Sequence, residues 1–282
     1  MAASTSTEAT LAGVRRAERL WRSRQIIRFG FLQYLSANPP AIVLATIWPR
    51  LIFQTVFWVM LGYVAAGSDG ATFAYVGAIA TALTYGGIAG MSDVPVDDKF
   101  AGTYTRLLVG ATPPTPVFFG RGVAQLTASV VEMLVCLVAA GLVTGQWRTM
   151  LALIPLLPIY VVIALSMSAA GLACASFCVG KRAEVAIYNG LTYLVILCCG
   201  ALIPPGTLAA LDVIGVVLPV SHGLVAVRSA LDGGPWLAQV LLEVLVGLGW
   251  LALAYVLFQA LAYVLFQVQA ARSRRTGSDS FS

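Results

Sequence analysis

The sequence predicts an all-α integral membrane protein. Three observations carry that reading: a composition too apolar for a water-soluble surface, six apolar runs of bilayer length, and basic residues gathered on alternate connections. Of 282 residues, 59% are hydrophobic and 10% are charged, and the mean hydropathy is +0.88. Soluble domains carry about 25% charged residues, so this chain lacks the polar surface to cover a soluble particle. Its net charge of +5 and pI near 9.1 are therefore read through topology, not as a nucleic-acid footprint.

Runs able to cross ~30 Å of hydrocarbon are Ala41–Val64, Ala71–Met91, Val117–Thr144, Met150–Val179, Val185–Ile203 and Leu237–Val264. Trp48-Pro49-Arg50 interrupts the first, so residues 25–46 are expected to lead into it partly as an interfacial helix. Residues 1–24 form an N-terminal segment whose Ser/Thr/Ala-rich start is expected to be disordered. Residues 25–268 form one six-span domain, and residues 269–282 a basic tail. The basic N-terminal region precedes a full-length span, which argues against a cleaved signal peptide.

Basic residues orient the spans. Arg15, Arg16, Arg19, Arg22, Arg24 and Arg28 precede the first, and Lys99, Arg106 and Arg121 follow the second. Lys181 and Arg182 follow the fourth, and Arg272, Arg274 and Arg275 follow the sixth. The opposite side holds only Arg148 and Arg228, with Arg50 in or near the first span. Six crossings with both termini cytoplasmic satisfy the positive-inside rule.

Thr207–Gly234 tests that count. It is apolar but holds Asp212, Pro219, His222 and Arg228. As a helix, Leu208–Leu218 reaches only ~16 Å, about half a bilayer. A re-entrant or interfacial hairpin on the outer side is expected, shielded by protein or a wet cavity.

The polar island Asp97-Asp98-Lys99-Phe100-Ala101-Gly102-Thr103-Tyr104-Thr105-Arg106-Leu107-Leu108 separates the second and third spans. It reads as a short amphipathic surface helix. Helical spacing from Phe100 puts Tyr104, Leu107 and Leu108 on one face. Asp97 and Asp98 precede it, where carboxylates suit the positive end of the helix dipole. Lys99 and Arg106 are left for a partner's acids or lipid phosphates. The bland alternative is a solvated connection.

On this frame the chain resembles the permease subunits of type-2 ABC exporters, especially the daunorubicin-resistance-like drug and lipid exporters. Gly102-Thr103-Tyr104-Thr105-Arg106-Leu107-Leu108 is similar to the family's Gly-Thr-x-x-x-Leu-Leu coupling segment. Leu202-Ile203-Pro204-Pro205 resembles its proline break after the fifth span, and Pro219 to Arg228 its outer hairpin. The likeness covers most of residues 20–268. Family members commonly place Glu and Arg just ahead of Gly-Thr and another Glu after it; here Asp97, Asp98 and Lys99 precede it and Thr105 follows.

The resemblance implies a non-catalytic permease in a bacterial plasma membrane, contacting lipids and not nucleic acid. It implies export of an amphipathic drug-like or lipid-like substrate. It also implies two copies of a cytoplasmic ATPase subunit carrying ATP and Mg, and a second permease chain, identical or related. The sequence agrees in having no phosphate-binding loop: its only Gly-Lys, Gly180-Lys181, is followed by Arg182 instead of Ser/Thr. No cofactor is expected on this chain.

Glu132 falls in the middle of the third span and Glu243 in the outer part of the sixth. Intramembrane carboxyls are costly and face a bundle interior, a cavity or a partner. Glu132, with Gln54 and Tyr85, is a candidate for the substrate path or subunit seam; a packed or paired carboxyl is the equal alternative. Arg50 is expected to snorkel to the headgroups. Pro204, Pro205, Pro219, His222 and Arg228 mark the outer hairpin, in which Asp212 and Arg228 are placed to pair. The lone His222 suits a structural hydrogen bond.

The five cysteines lack zinc-site spacing and read as small packing residues. A proton-coupled secondary transporter using Glu132, or a glycan-exporting permease of the same fold, are the alternatives. An intramembrane enzyme lacks its constellation of nucleophile and base or metal ligands.

Overall fold

The computed structural model describes residues 2–110, 112–178 and 184–276, and among these there is no strand. Helix α1 (Ala2–Ala37) includes residues 2–10, where a disordered start is expected. Pro39 and Pro40, which cannot continue the hydrogen-bond ladder, separate it from a helical path running Pro40–Phe100. That path comprises α2 (Pro40–Ile42), a π-helical turn, α3 (Trp48–Thr84), a second π-helical turn and α4 (Met91–Phe100).

The path is two arms, not one rod. Ala66 and Gly67 leave helical dihedrals, Gly67 with φ +66. A Cβ on Gly62 would lie 2.5 Å from Ala74 Cβ, whereas twelve residues of straight helix span ~18 Å. The chain therefore reverses at Ala66–Gly67, and Gly62 and Gly70 let the arms touch. Arms 40–65 and 68–100 correspond to the first two expected spans, although the second continues nine residues beyond Met91.

α5 (Tyr104–Leu108) follows, then α6 (Pro114–Val143), which starts on Pro114 at its first position and ends before Gly145 at φ +74. α7 (Trp147–Leu153), a 3-10 turn and α8 (Leu157–Cys178) form the next apolar run. α9 (Glu184–Cys198) stops five residues short of the expected end at Ile203. α10 (Ala209–Gly215) and α11 (Ser221–Leu231) make the hairpin, and α12 (Leu237–Thr276) runs well past the expected Val264. Among the described residues, four helical runs are long and apolar enough to cross a membrane: Pro40–Phe100, Pro114–Val143, Trp147–Phe177 and Leu237–Val268. The charge pair expected at Lys181 and Arg182 lies outside the described residues, as do the side chains of Arg15, Arg16, Arg19 and the tail arginines.

The core is built on the second arm. Tyr75, Ile79 and Leu83 pack with Met133 and Leu137 of α6, Tyr160, Ile163 and Met167 of α8, and Leu224 of α11, all buried. Gly86 and Gly90, the Gly-x-x-x-Gly pair, let this arm press on Ser129 and Gln125 of α6, the use expected of small residues between membrane helices. Cys136, Cys174, Cys198 and Cys199 are buried packing residues; the side chain of Cys178 lies outside the described set.

Gly77 is the tightest joint. A Cβ there would collide with the backbone carbonyl of Ala201. Gly77→Ala is expected to cost about 1–3 kcal/mol by overpacking, read as a lower unfolding midpoint in detergent. An unchanged midpoint would show that the 200–201 segment moves aside freely.

Candidate functional site

The polar island folds differently from expectation. The apolar run continues through Val94 and Val96 and carries the helix to Phe100, so Asp97 and Asp98 close α4 instead of preceding a new helix. Ala101 N–H bonds Asp97 O at 2.9 Å and Thr103 N–H bonds Asp98 O at 2.9 Å. Gly102 turns the chain at φ +70, a conformation open to glycine at little cost.

Carboxylates at a helix C-terminus meet the negative end of the dipole, and here they are held by outside partners. Arg121 Nη1 donates to Asp98 Oδ2, and Thr103 Oγ1 donates to Asp98 Oδ1 at 2.9 Å. Arg121 Nη2 donates to Gln33 Oε1 at 2.5 Å, and Gln33 Nε2 donates to Asp97 Oδ2 at 2.9 Å. The Arg121 guanidinium also lies 5.0 Å from the Phe29 ring. Asp98 and Arg121 are 6% and 5% exposed, so the network is a latch joining α1, α4 and α6 with a buried ion pair at its centre and Asp97 exposed at its edge. Asp98 thus belongs to the inside of the loop, not to a docking face.

α5 turns Tyr104 and Leu108 inward. Tyr104 stacks on Phe118 with centroids 6.0 Å apart, Phe118 meets Phe258 at 5.1 Å, and Leu107 packs half-buried against the same cluster. Burial raises the Tyr104 phenol above its ordinary range and keeps it neutral. Phe100 does not share that face. The break at Ala101–Thr103 changes the helical phase and leaves Phe100 77% exposed, beside exposed Thr105 and Arg106. Lys99 Nζ sits 5.7 Å from the Phe100 ring.

Glu132 is buried in the middle of α6, about eleven residues or ~16 Å from Arg121 along the helix. Its carboxyl has no hydrogen-bond partner among the described residues and lines a cavity beside α1. Arg50 lies within electrostatic reach of it, but its guanidinium stacks 4.6 Å from the Tyr85 ring. Arg50 therefore turns to the second arm instead of snorkelling. The structure brings Glu132, Arg50 and Tyr85 into one layer; Gln54 is half-buried one turn beyond Arg50.

At the opposite end the hairpin tip lies far down the bundle. Trp250 Nε1 donates to Val217 O at 2.9 Å, and Trp250 is thirteen residues, ~20 Å, into α12. Pro219 is buried at the tip, while Pro204 and Pro205 are exposed. Arg228 does not pair with Asp212. Its Nη1 donates to Gly200 O at 2.8 Å, its guanidinium covers the Phe73 ring at 3.7 Å, and Asp212 instead accepts Gly206 N–H at 2.9 Å. Each group found a backbone partner nearer than the other, and Arg228 thereby ties the chain after α9 to the second arm. His222 makes its structural bonds through Nδ1 to Gln239 Oε1 at 3.1 Å and Nε2 to Val216 O at 3.2 Å.

Glu243, expected near the outer interface, is fully buried because the hairpin folds over it. Its Oε1 accepts from Ser166 Oγ and from Val220 N–H at 2.8 Å, and its Oε2 from Gly223 N–H at 3.0 Å. A carboxylate of α12 therefore caps the start of α11. Val220, the one non-glycine residue with positive φ among those described (φ 87), sits at that cap. Gln33, Arg121, Ser166 and Glu243 are the residues whose part the sequence did not reveal, because each works through partners twenty or more positions away.

A family model described as ABC-2 type transporter matches residues 15–231, which take in the latch, Glu132 and the hairpin. No curated protein and no solved structure matches the chain.

Proposed function

This chain belongs to the ABC-2 type transporter family, and on that premise we propose that it is the permease of an ATP-driven exporter for amphipathic drug-like or lipid-like substrates. It is a multi-pass membrane transport component of a family that normally works with an ATPase subunit. The rest is our reading. Six crossings place both termini in the cytoplasm of a bacterial cell, α10–α11 re-enter from the outside, and two permease chains stand over two separate ATPase subunits. ATP and Mg are held by those subunits.

One observation carries the coupling assignment. The loop offers Phe100, Thr105 and Arg106 to solvent while Asp98, Tyr104 and Leu108 fix it to α6 and α12. An exposed aromatic beside a cation suits a partner's apolar groove rimmed with acids, and the buried side transmits its displacement to the spans. ATP-driven closure of the ATPase pair would push on this loop, and Gly102→Pro, which cannot adopt positive φ, is expected to disturb that transmission.

The test uses exposed residues, since replacing buried Tyr104 mixes folding with docking. Phe100→Ala with Arg106→Ala is expected to reduce capture of the ATPase subunit at least tenfold while the unfolding midpoint of the permease stays put. Undiminished capture, with transport intact, would remove the loop from the docking surface.

A further inference from the structure

A cavity of about 410 Å³ lies between the end of α1, the start of the first arm and the middle of α6. Phe31, Tyr34 and Asn38 of α1, Trp48 of the first arm, and Thr127 and Glu132 of α6 form its walls. Leu35, Leu44 and Val131 at its rim are exposed, so in a bilayer it opens toward lipid. Its volume falls within the roughly 300–1,000 Å³ of small-molecule sites, which pair apolar walls with a few placed polar groups.

The charge arrangement is one-sided. Glu132 is 7% exposed and its carboxyl has no hydrogen-bond partner among the described residues, and no Lys, Arg or His lines the cavity. The nearest cation, Arg50, is stacked on Tyr85 and acts on Glu132 from a distance, without closing onto its carboxyl. An unpaired carboxylate in hydrocarbon is costly, and a ligand's ammonium would offset that cost. Phe31, Tyr34 and Trp48 add ring faces of the kind that attract cations.

We infer that this cavity binds an amphiphile bearing a protonated amine, with that amine against Glu132 and its apolar body along Phe31, Tyr34 and Trp48. An anionic amphiphile meets repulsion there, and a neutral one leaves the carboxyl unpaired. The inference deepens the export reading by naming a ligand class and a place for it, and it rests on that reading only for the step from binding to transport.

The test uses the full-length chain without its ATPase, in nanodiscs of phosphatidylcholine. A diazirine-bearing alkyl primary amine and the alcohol of equal length are photo-crosslinked and mapped by mass spectrometry. The amine is expected to label the Tyr34 and Glu132 peptides at least tenfold more than the alcohol. Glu132→Gln lowers amine labelling to the alcohol's level. Thr127→Trp, which blocks the mouth from an exposed position and leaves the carboxyl in place, lowers both.

Equal labelling by amine and alcohol in the unaltered chain, or amine labelling that survives Glu132→Gln, overturns the site. Unfolding midpoints of both variants are read alongside; if Glu132→Gln fails to fold, Thr127→Trp carries the test, and undiminished labelling in it is equally fatal. Added phosphatidylethanolamine distinguishes two sources of the amine: competition assigns the site to a lipid amine, and no competition assigns it to a free amphiphile. Because no ATPase is present, failure here leaves the coupling reading standing, and failed partner capture leaves this site standing.

Discussion

Asp98→Ala is expected to destabilise the chain by about 3–5 kcal/mol, the usual cost of removing one member of a buried ion pair. Arg121 would remain buried without its carboxylate, with Nε already lacking a partner. Thr103 would lose the closer of its two hydroxyl acceptors, keeping the Asp98 backbone carbonyl at 3.3 Å, and Gln33 the anchored arginine that holds it. Asp98→Asn is expected to cost less, since an amide oxygen still accepts from Arg121 or Thr103. Arg121→Lys should fall between, because an ammonium cannot reach Asp98 and Gln33 as a fork does. The readout is the unfolding midpoint in detergent together with protease cleavage after Lys99 or Arg106, which should accelerate as the loop detaches. Wild-type stability and cleavage in Asp98→Ala would show that the latch holds nothing.

Glu243→Ala should produce the second large effect. It removes the acceptor of two buried amides, Val220 and Gly223, and one of the two acceptors of the Ser166 hydroxyl, which keeps Ile163 O at 3.0 Å. Each buried donor left unsatisfied costs about 1–3 kcal/mol, and a total of about 3–5 kcal/mol is expected once the hairpin relaxes. Val220 adds to this. A β-branched residue at positive φ carries roughly 1–3 kcal/mol of strain that persists only while its surroundings hold it, and the Glu243 carboxylate is what receives its amide. Glu243→Gln keeps one acceptor and should lose about half as much. Hydrogen exchange at residues 216–224 should speed up strongly in Glu243→Ala and only modestly at the latch. Unchanged exchange at the hairpin would mean that α11 is held by packing alone.

The two predictions separate what could be read from sequence and what could not. The Pro40–Phe100 arms, α6, α7–α8 and α12 lie close to the apolar runs, because a bilayer-length hydrocarbon segment has few ways to satisfy its backbone other than a helix. The two short helices around Pro219 were legible as well, because each apolar piece there is brief and bounded by turn-forming residues. His222 kept its structural part. The helix boundaries around the polar island were not legible. Apolar periodicity carries through Val94 and Val96 without a cap signal, and the stop depends on the left-handed turn at Gly102, a conformation that the presence of a glycine permits but does not impose.

Composition and periodicity by themselves determined that this chain is a helical membrane protein and that a polar loop and a broken hairpin interrupt its apolar segments. Both follow from local free energies of transfer and backbone satisfaction, which need no knowledge of neighbours. Only the tertiary structure decided that Asp98 faces Arg121 and Gln33, that Arg228 holds backbone carbonyls instead of Asp212, that Glu243 caps α11, and that Glu132 is left unpaired beside a cavity. A charge buried in a low-dielectric interior is settled by whichever partner the packing brings within about 3 Å, and sequence spacing does not encode that distance.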